Sequence, residues 1–140
     1  RMRELNALLT ASSYSGQFED GHYAGWHTKR LWRLAEAERV ITPKLSQFQL
    51  IIDKWMNFNS TVEPDGRVIV PFDVDHFLRI RNAQLKYPIL VESNGQWVMD
   101  GMHRLMKCYL GNIDTIRAVQ FAVTPEPDVV YYPKNEVRMW

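Results

Sequence analysis

The run Asp100-Gly101-Met102-His103-Arg104 gathers groups that handle anions and protons. A glycine that ends a strand and opens a helix lets a ligand come close to the backbone. The first turn of the helix then offers N–H groups with no intrahelical partner and a partial positive charge. Arg104 can add a two-pronged fork to phosphate oxygens, and Lys107 lies one turn further along the same face. His103 can donate a hydrogen bond or shuttle a proton near neutral pH. Asp100 could orient His103, hold a divalent cation such as Mg²⁺, or take the proton of a hydroxyl. The plainer alternative is that Asp100 caps the helix and Arg104 pairs with it across the first turn. Ligands often sit at the carboxyl ends of strands, and four polar groups at one such junction favour a phosphate-binding turn over a capped helix start.

These residues need elements to position them. Ile89-Leu90-Val91 reads as a strand after Pro88, and Trp97-Val98-Met99 as its return. Ser93-Asn94-Gly95 between them predicts a tight, primed hairpin turn. A helix follows from about Met102 to Leu110, with Gly111 as its left-handed stop. Thr115 to Ala122 reads as the last strand.

Upstream, Thr28 is a candidate N-cap for a helix to about Arg39, with Leu31, Leu34 and Ala35 as its apolar stripe. Val40 to Leu45 predicts a short strand that Pro43 pushes to an edge. Ser46 is a candidate cap for a helix burying Phe48, Ile51, Ile52 and Trp55. Asn57 to Arg67 reads as a loop closed by Pro64-Asp65-Gly66. Asp73 or Asp75 could cap a third helix to about Leu85, with Phe77, Ile80 and Gln84 on one face and Arg79, Arg81 and Lys86 on the other.

The ends of the chain read differently. Gly16, Gly21 and Gly25 argue against a regular element in residues 11–27, so residues 1–27 are expected to form an arm that packs its rings on the domain. Pro125, Pro127 and Pro133 predict an irregular tail over residues 124–140. Residues 28–123 are then one domain. Its fold class is α/β or α+β, a small mixed sheet flanked by helices.

At 140 residues the chain suits one domain with its own core. A net charge of +1 gives no global basic field that would advertise nucleic acid. A local basic row, Arg79, Arg81 and Lys86, could touch phosphates but reads more simply as a solvated face. Cys108 is the only cysteine, so no intrachain disulfide can form, which fits a reducing, cytoplasmic setting. In the middle of a helix it reads as a packed hydrophobe. His76 follows Asp75 at a helix start with no second His or Cys at ligand spacing, which argues against a metal. No apolar run approaches the ~18 residues of a membrane span, and no signal peptide is expected.

The passage from Tyr87 to Phe121 resembles the core of the ParB/sulfiredoxin superfamily. The likeness rests on Pro-Ile-Leu-Val, a short turn, Trp-Val-Met-Asp-Gly-Met-His-Arg-Leu, then Lys107, Gly111 and Ile116-Arg117-Ala118-Val119. Thr28 to Leu45 is similar, more weakly, to the superfamily's leading helix and strand. The resemblance implies that nucleotide phosphates sit at Gly101, Met102, His103, Arg104 and Lys107. Partition proteins of this kind bind CTP and DNA and show Gly-Glu-Arg-Arg at the turn. Sulfiredoxins use ATP and show Gly-Cys-His-Arg; here Met102 stands in place of the thiolate-forming Cys. Free serine kinases phosphorylate a hydroxyl and show Asp-Gly-His-His-Arg, from which only Met102 departs. That branch is the nearest. It implies an ATP- or ADP-dependent phosphotransferase with Asp100 and His103 as catalytic groups and a small-molecule acceptor, with Mg²⁺ a candidate at Asp100. Kinase members carry a second acid, for which Asp73, Asp75 and Glu92 are candidates. The alternatives are a nucleotide-sensing or DNA-associated module without turnover, and a nuclease, for which these residues supply no metal cluster.

Overall fold

The computed structural model describes residues 13–17, 22–58, 61–69 and 74–131 of the chain. It is an α+β protein with small sheets, and it divides into two compact units. One comprises Arg1–Arg39 with Phe121–Trp140, the other Val40–Gln120.

In the first unit, β1 (Ser13–Gln17) and β2 (Tyr23–His27) pair antiparallel, and β8 (Val129–Tyr131) adds to the free edge of β2. The expected irregular arm and tail therefore include a three-stranded sheet. Gly16 and Gly25 sit within its ladder, opposite Ala24 and Ser15. Inter-strand hydrogen bonds and burial at Ala24 and Trp26 outweigh the weak strand propensity of glycine. Helix α1 (Thr28–Ala35) follows β2 directly, with His27 rather than Thr28 at its N-cap. Asp128 supplies the capping carboxylate from the far end of the chain: its Oδ2 accepts from the His27 N–H at 2.7 Å and from Arg30 Nη1 at 3.0 Å. An anion there suits the helix N-terminus. Leu31 and Ala35 are buried, whereas Leu34 is exposed, so the buried stripe of α1 is narrower than its sequence predicts.

In the second unit, the segment Ile41 to Lys44 makes two isolated antiparallel bridges, to Ala118 and Thr115, rather than a full strand. The Pro43 carbonyl accepts from the Ile116 N–H at 3.1 Å, as suits a proline at an edge. A 3-10 turn, Leu45–Phe48, leads into α2 (Gln49–Phe58), with Lys44 rather than Ser46 at the cap of that turn. β3 (Thr61–Val62) and β4 (Val68–Ile69) form a hairpin where a loop was expected, turning at Pro64-Asp65-Gly66. Helix α3 (Val74–Asn82) buries Ile80 but exposes Phe77. Asp73 lies outside the described residues; Asp75 falls in the first turn of α3 and pairs with Arg79 at 3.2 Å.

The sheet that positions the junction has the order β6-β5-β7. β5 (Ile89–Val91) is central and wholly buried, antiparallel to β6 (Val98–Asp100) and parallel to β7 (Ala118–Gln120). The continuous apolar run Ile-Leu-Val is what a strand covered on both faces requires. Helix α4 (Met102–Leu110) makes the crossover from β6 to β7 and buries Leu105, Met106 and Cys108. These side chains share a core with Phe48, Ile52, Ile80, Ile89 and Val98. Cys108 is thus the packed hydrophobe expected, and burial pushes its thiol up. The left-handed residue past α4 is Asn112 (φ 53°), not Gly111 (φ −89°), which continues the helical turn. No helix among the described residues is long and apolar enough to cross a membrane.

The β5–β6 loop is not the two-residue primed turn predicted. It spans residues 92–97, and only Gly95 takes a positive φ, 71°. Glu92 decides this. It is 3% exposed, and its carboxylate accepts from the N–H groups of Asn94 at 2.9 Å and Gln96 at 2.6 Å. Glu92, a candidate second acid from its sequence, is therefore the buried organiser of the loop. Glu92→Ala leaves both N–H groups without that acceptor, and we expect a loss of about 1–3 kcal/mol in urea unfolding. A loss below a few tenths would mean that water replaces the carboxylate freely.

Candidate functional site

The junction between β6 and α4 depends first on Gly101. It turns the chain at φ 103°, a region that side chains rarely adopt, and serves as the N-cap of α4. A Cβ there would meet Ile89 Cγ2 at 2.8 Å, Ile89 Cα at 3.1 Å and Arg104 Nε at 3.2 Å. The glycine is thus needed for packing against β5, a reason beyond the ligand approach read from sequence.

Asp100, the last residue of β6, points its Oδ2 at Arg104 Nη2, 3.3 Å away across the first turn. The same Nη2 donates to the Pro88 carbonyl at 3.3 Å, at the entry of β5. Arg104 therefore ties the start of α4 to both neighbouring strands. Burial pushes its pKa down, opposed by Asp100, and it stays a cation at any working pH. The pair is partly exposed, at 17% for the Arg104 side chain and 30% for Asp100. Such a pair contributes about 1 kcal/mol or less, so an incoming phosphate can compete for the guanidinium.

His103 faces away from that pair, toward α3. Its Nε2 stands 2.9 Å from Nδ1 of His76, and the edge of Trp55 from α2 meets both rings. His103 is half-buried. Its pKa is lowered from 6.5, chiefly by burial, then by His76 and Arg79, so the ring is mostly neutral at pH 7. Lys107 is engaged elsewhere: its Nζ donates to the carbonyls of Arg81 at 2.7 Å and Ala83 at 2.8 Å. That caps the C-terminus of α3, where a cation is favoured. Reaching a phosphate would require breaking both bonds.

The structure thus brings Asp100, Gly101, Met102, His103 and Arg104 to one junction, and it adds His76 and Trp55. Sequence reading missed these two because they lie on other helices; His76 is 27 residues from His103, and no local pattern links them. Glu92, in its own loop, is held by backbone N–H groups. Among the described residues no group of three or more His, Cys, Asp or Glu stands together as a metal cluster. An open cleft of about 370 Å³ runs between Lys44–Ser46 and Tyr109–Asp114 and contains none of the junction residues. In comparisons with protein families, curated proteins and solved structures, nothing matches the chain.

Gly101→Ala and Gly66→Ala separate packing from backbone strain. Gly66 has φ 87° with nothing within 4 Å of a built Cβ, so alanine meets strain alone there. We expect about 1 kcal/mol lost at Gly66 and about 2–5 kcal/mol at Gly101, by urea unfolding. Equal losses would mean that Ile89 gives way.

Proposed function

We propose that the β6–α4 junction binds the phosphates of a nucleotide, ATP or ADP before CTP, and that the chain passes a phosphoryl group to the hydroxyl of a small molecule. One observation carries the reading: the Asp100–Arg104 pair stands at a strand-to-helix junction that also carries His103, beside the N–H groups that open a nine-residue helix. The resemblance to the ParB/sulfiredoxin superfamily, nearest its serine kinase branch, supports it. In this reading the N–H groups of Met102 and His103 cradle phosphate oxygens, and Arg104 swings from Asp100 to the same anion. That exchange releases Asp100. Its carboxylate then takes the acceptor's hydroxyl proton as the oxygen attacks phosphorus and the bond to the leaving phosphate breaks. His103, mostly neutral, donates an N–H rather than a charge to the transferred group. Asp100 is the residue here that would hold Mg²⁺, which would neutralise phosphate charge.

The Asp100–Arg104 pair also favours a second reading. A carboxylate that stays on Arg104 is a poor base, and the junction would then bind a nucleotide without turning it over. Such a module could be DNA-associated; duplex binding that falls steeply with salt would identify it.

Thermal unfolding with ATP, ADP, CTP and GTP, with and without Mg²⁺, tests the reading. At a hundredfold excess over Kd a ligand stabilises by about 2.7 kcal/mol. We expect an adenine nucleotide to raise Tm, Arg104→Ala to abolish the rise, and Asp100→Asn to keep it while lowering phosphoryl transfer at least ~100-fold. No shift with any nucleotide would leave the junction a packed helix start. Full transfer by Asp100→Asn would remove Asp100 from the chemistry.

A further inference from the structure

The His76–His103 contact has a geometry that decides what it is. The two nitrogens are 2.9 Å apart and the ring centres 5.2 Å apart. The second distance equals the first plus one ring radius at each end, so both nitrogens lie on the line joining the rings. Two imidazoles converging on a shared metal ion would point to a third place, and their centres would be closer for the same nitrogen separation. A collinear approach is that of a hydrogen bond, with a single hydrogen between the nitrogens. With one ring cationic, that hydrogen still bridges them. With both cationic, each nitrogen carries a hydrogen and the two meet head-on, so the contact must break.

We propose that His76 is a positioning residue for His103: the rings share one hydrogen across α3 and α4, fix the His103 ring beside the junction, and part when a second proton arrives in acid. The charged neighbours oppose that second proton. Arg79 on α3 and Arg104 on α4 disfavour a cation at His103, and Asp75 on α3 alone favours one. Asp75 is already paired with Arg79, and from α2 the uncharged Trp55 ring packs T-shaped against both imidazoles. The lowered pKa of His103 agrees with this balance.

The sign of the pH effect follows. In the unfolded chain His103 takes its proton as pH falls through 6.5, whereas in the folded chain it does so only at lower pH. Stability is complete above 6.5 and declines below it, by up to about tenfold in the folding constant per pH unit, until the second proton binds. Regulation of the junction by acid rests on the nucleotide reading above; the shared hydrogen does not.

Nitrogen-detected NMR of the imidazoles, from about pH 8 to about pH 5, tests the proposal. We expect the pair to titrate in two separate steps, with His103 protonated at the lower pH. His76→Asn can keep a hydrogen bond to His103 but cannot take a proton. It should preserve the neutral His103 signal at pH 7 and lessen the acid loss of stability, leaving the part that burial causes, whereas His76→Ala should disturb both. Two independent ordinary titrations in the wild type, with the fold intact, would overturn the proposal. Nucleotide affinity followed over the same range separates the two ideas. Affinity falling with the second step in the wild type but not in His76→Asn supports acid regulation. Absence of any nucleotide binding, with the two-step titration intact, defeats the functional reading and leaves the shared hydrogen standing.

Discussion

Strand β6 and helix α4 are joined by one residue, and that residue has no room for a side chain. Gly101 turns at φ 103° with Ile89 Cγ2 2.8 Å from where a Cβ would stand. Ile89 lies in β5, the central and wholly buried strand of its sheet. The glycine therefore sets how closely α4 seats on the sheet, and through that the direction in which α4 starts. Asp100 and Arg104 face each other across the first turn because the turn is this tight, and His103 faces α3 for the same reason.

The junction is held on three sides by polar contacts of different kinds. Arg104 links it to the Pro88 carbonyl and to Asp100. His103 links it to His76 under the edge of Trp55. One turn along α4, Lys107 closes the end of α3 through two carbonyls. The contacts of α4 thus differ in kind. The Asp100–Arg104 pair is partly open to solvent. The His76–His103 contact joins two half-buried imidazole rings.

How much of this was legible depends on range. The β5–β6 hairpin, the glycine junction and α4 could be read locally, because an apolar run, an Asp-Gly pair and a helical period each act within a few residues. Ile41 to Lys44 was legible as an edge segment beside the sheet, because Pro43 forbids a central one. The pairing of β8 with β2 was not, because it joins residues about a hundred positions apart and its glycines argue locally for a loop. The apolar face of α3 was misread at Phe77 because period alone does not say how wide a stripe the neighbours cover. The primed turn failed at Asn94 because a buried carboxylate, Glu92, imposed a longer loop on it. Asp100, His103 and Arg104 were readable as a group; the partner of His103 was not, since only the packing of α3 on α4 brings His76 to it.

The measurement that bears most directly on the account is a backbone amide NMR titration of the protein with ATP. Phosphate binding at the junction predicts that the largest shifts centre on the N–H groups of Gly101, Met102, His103 and Arg104 and disappear in Arg104→Ala. Saturable shifts centred elsewhere in the chain, with these four amides unmoved, would contradict it.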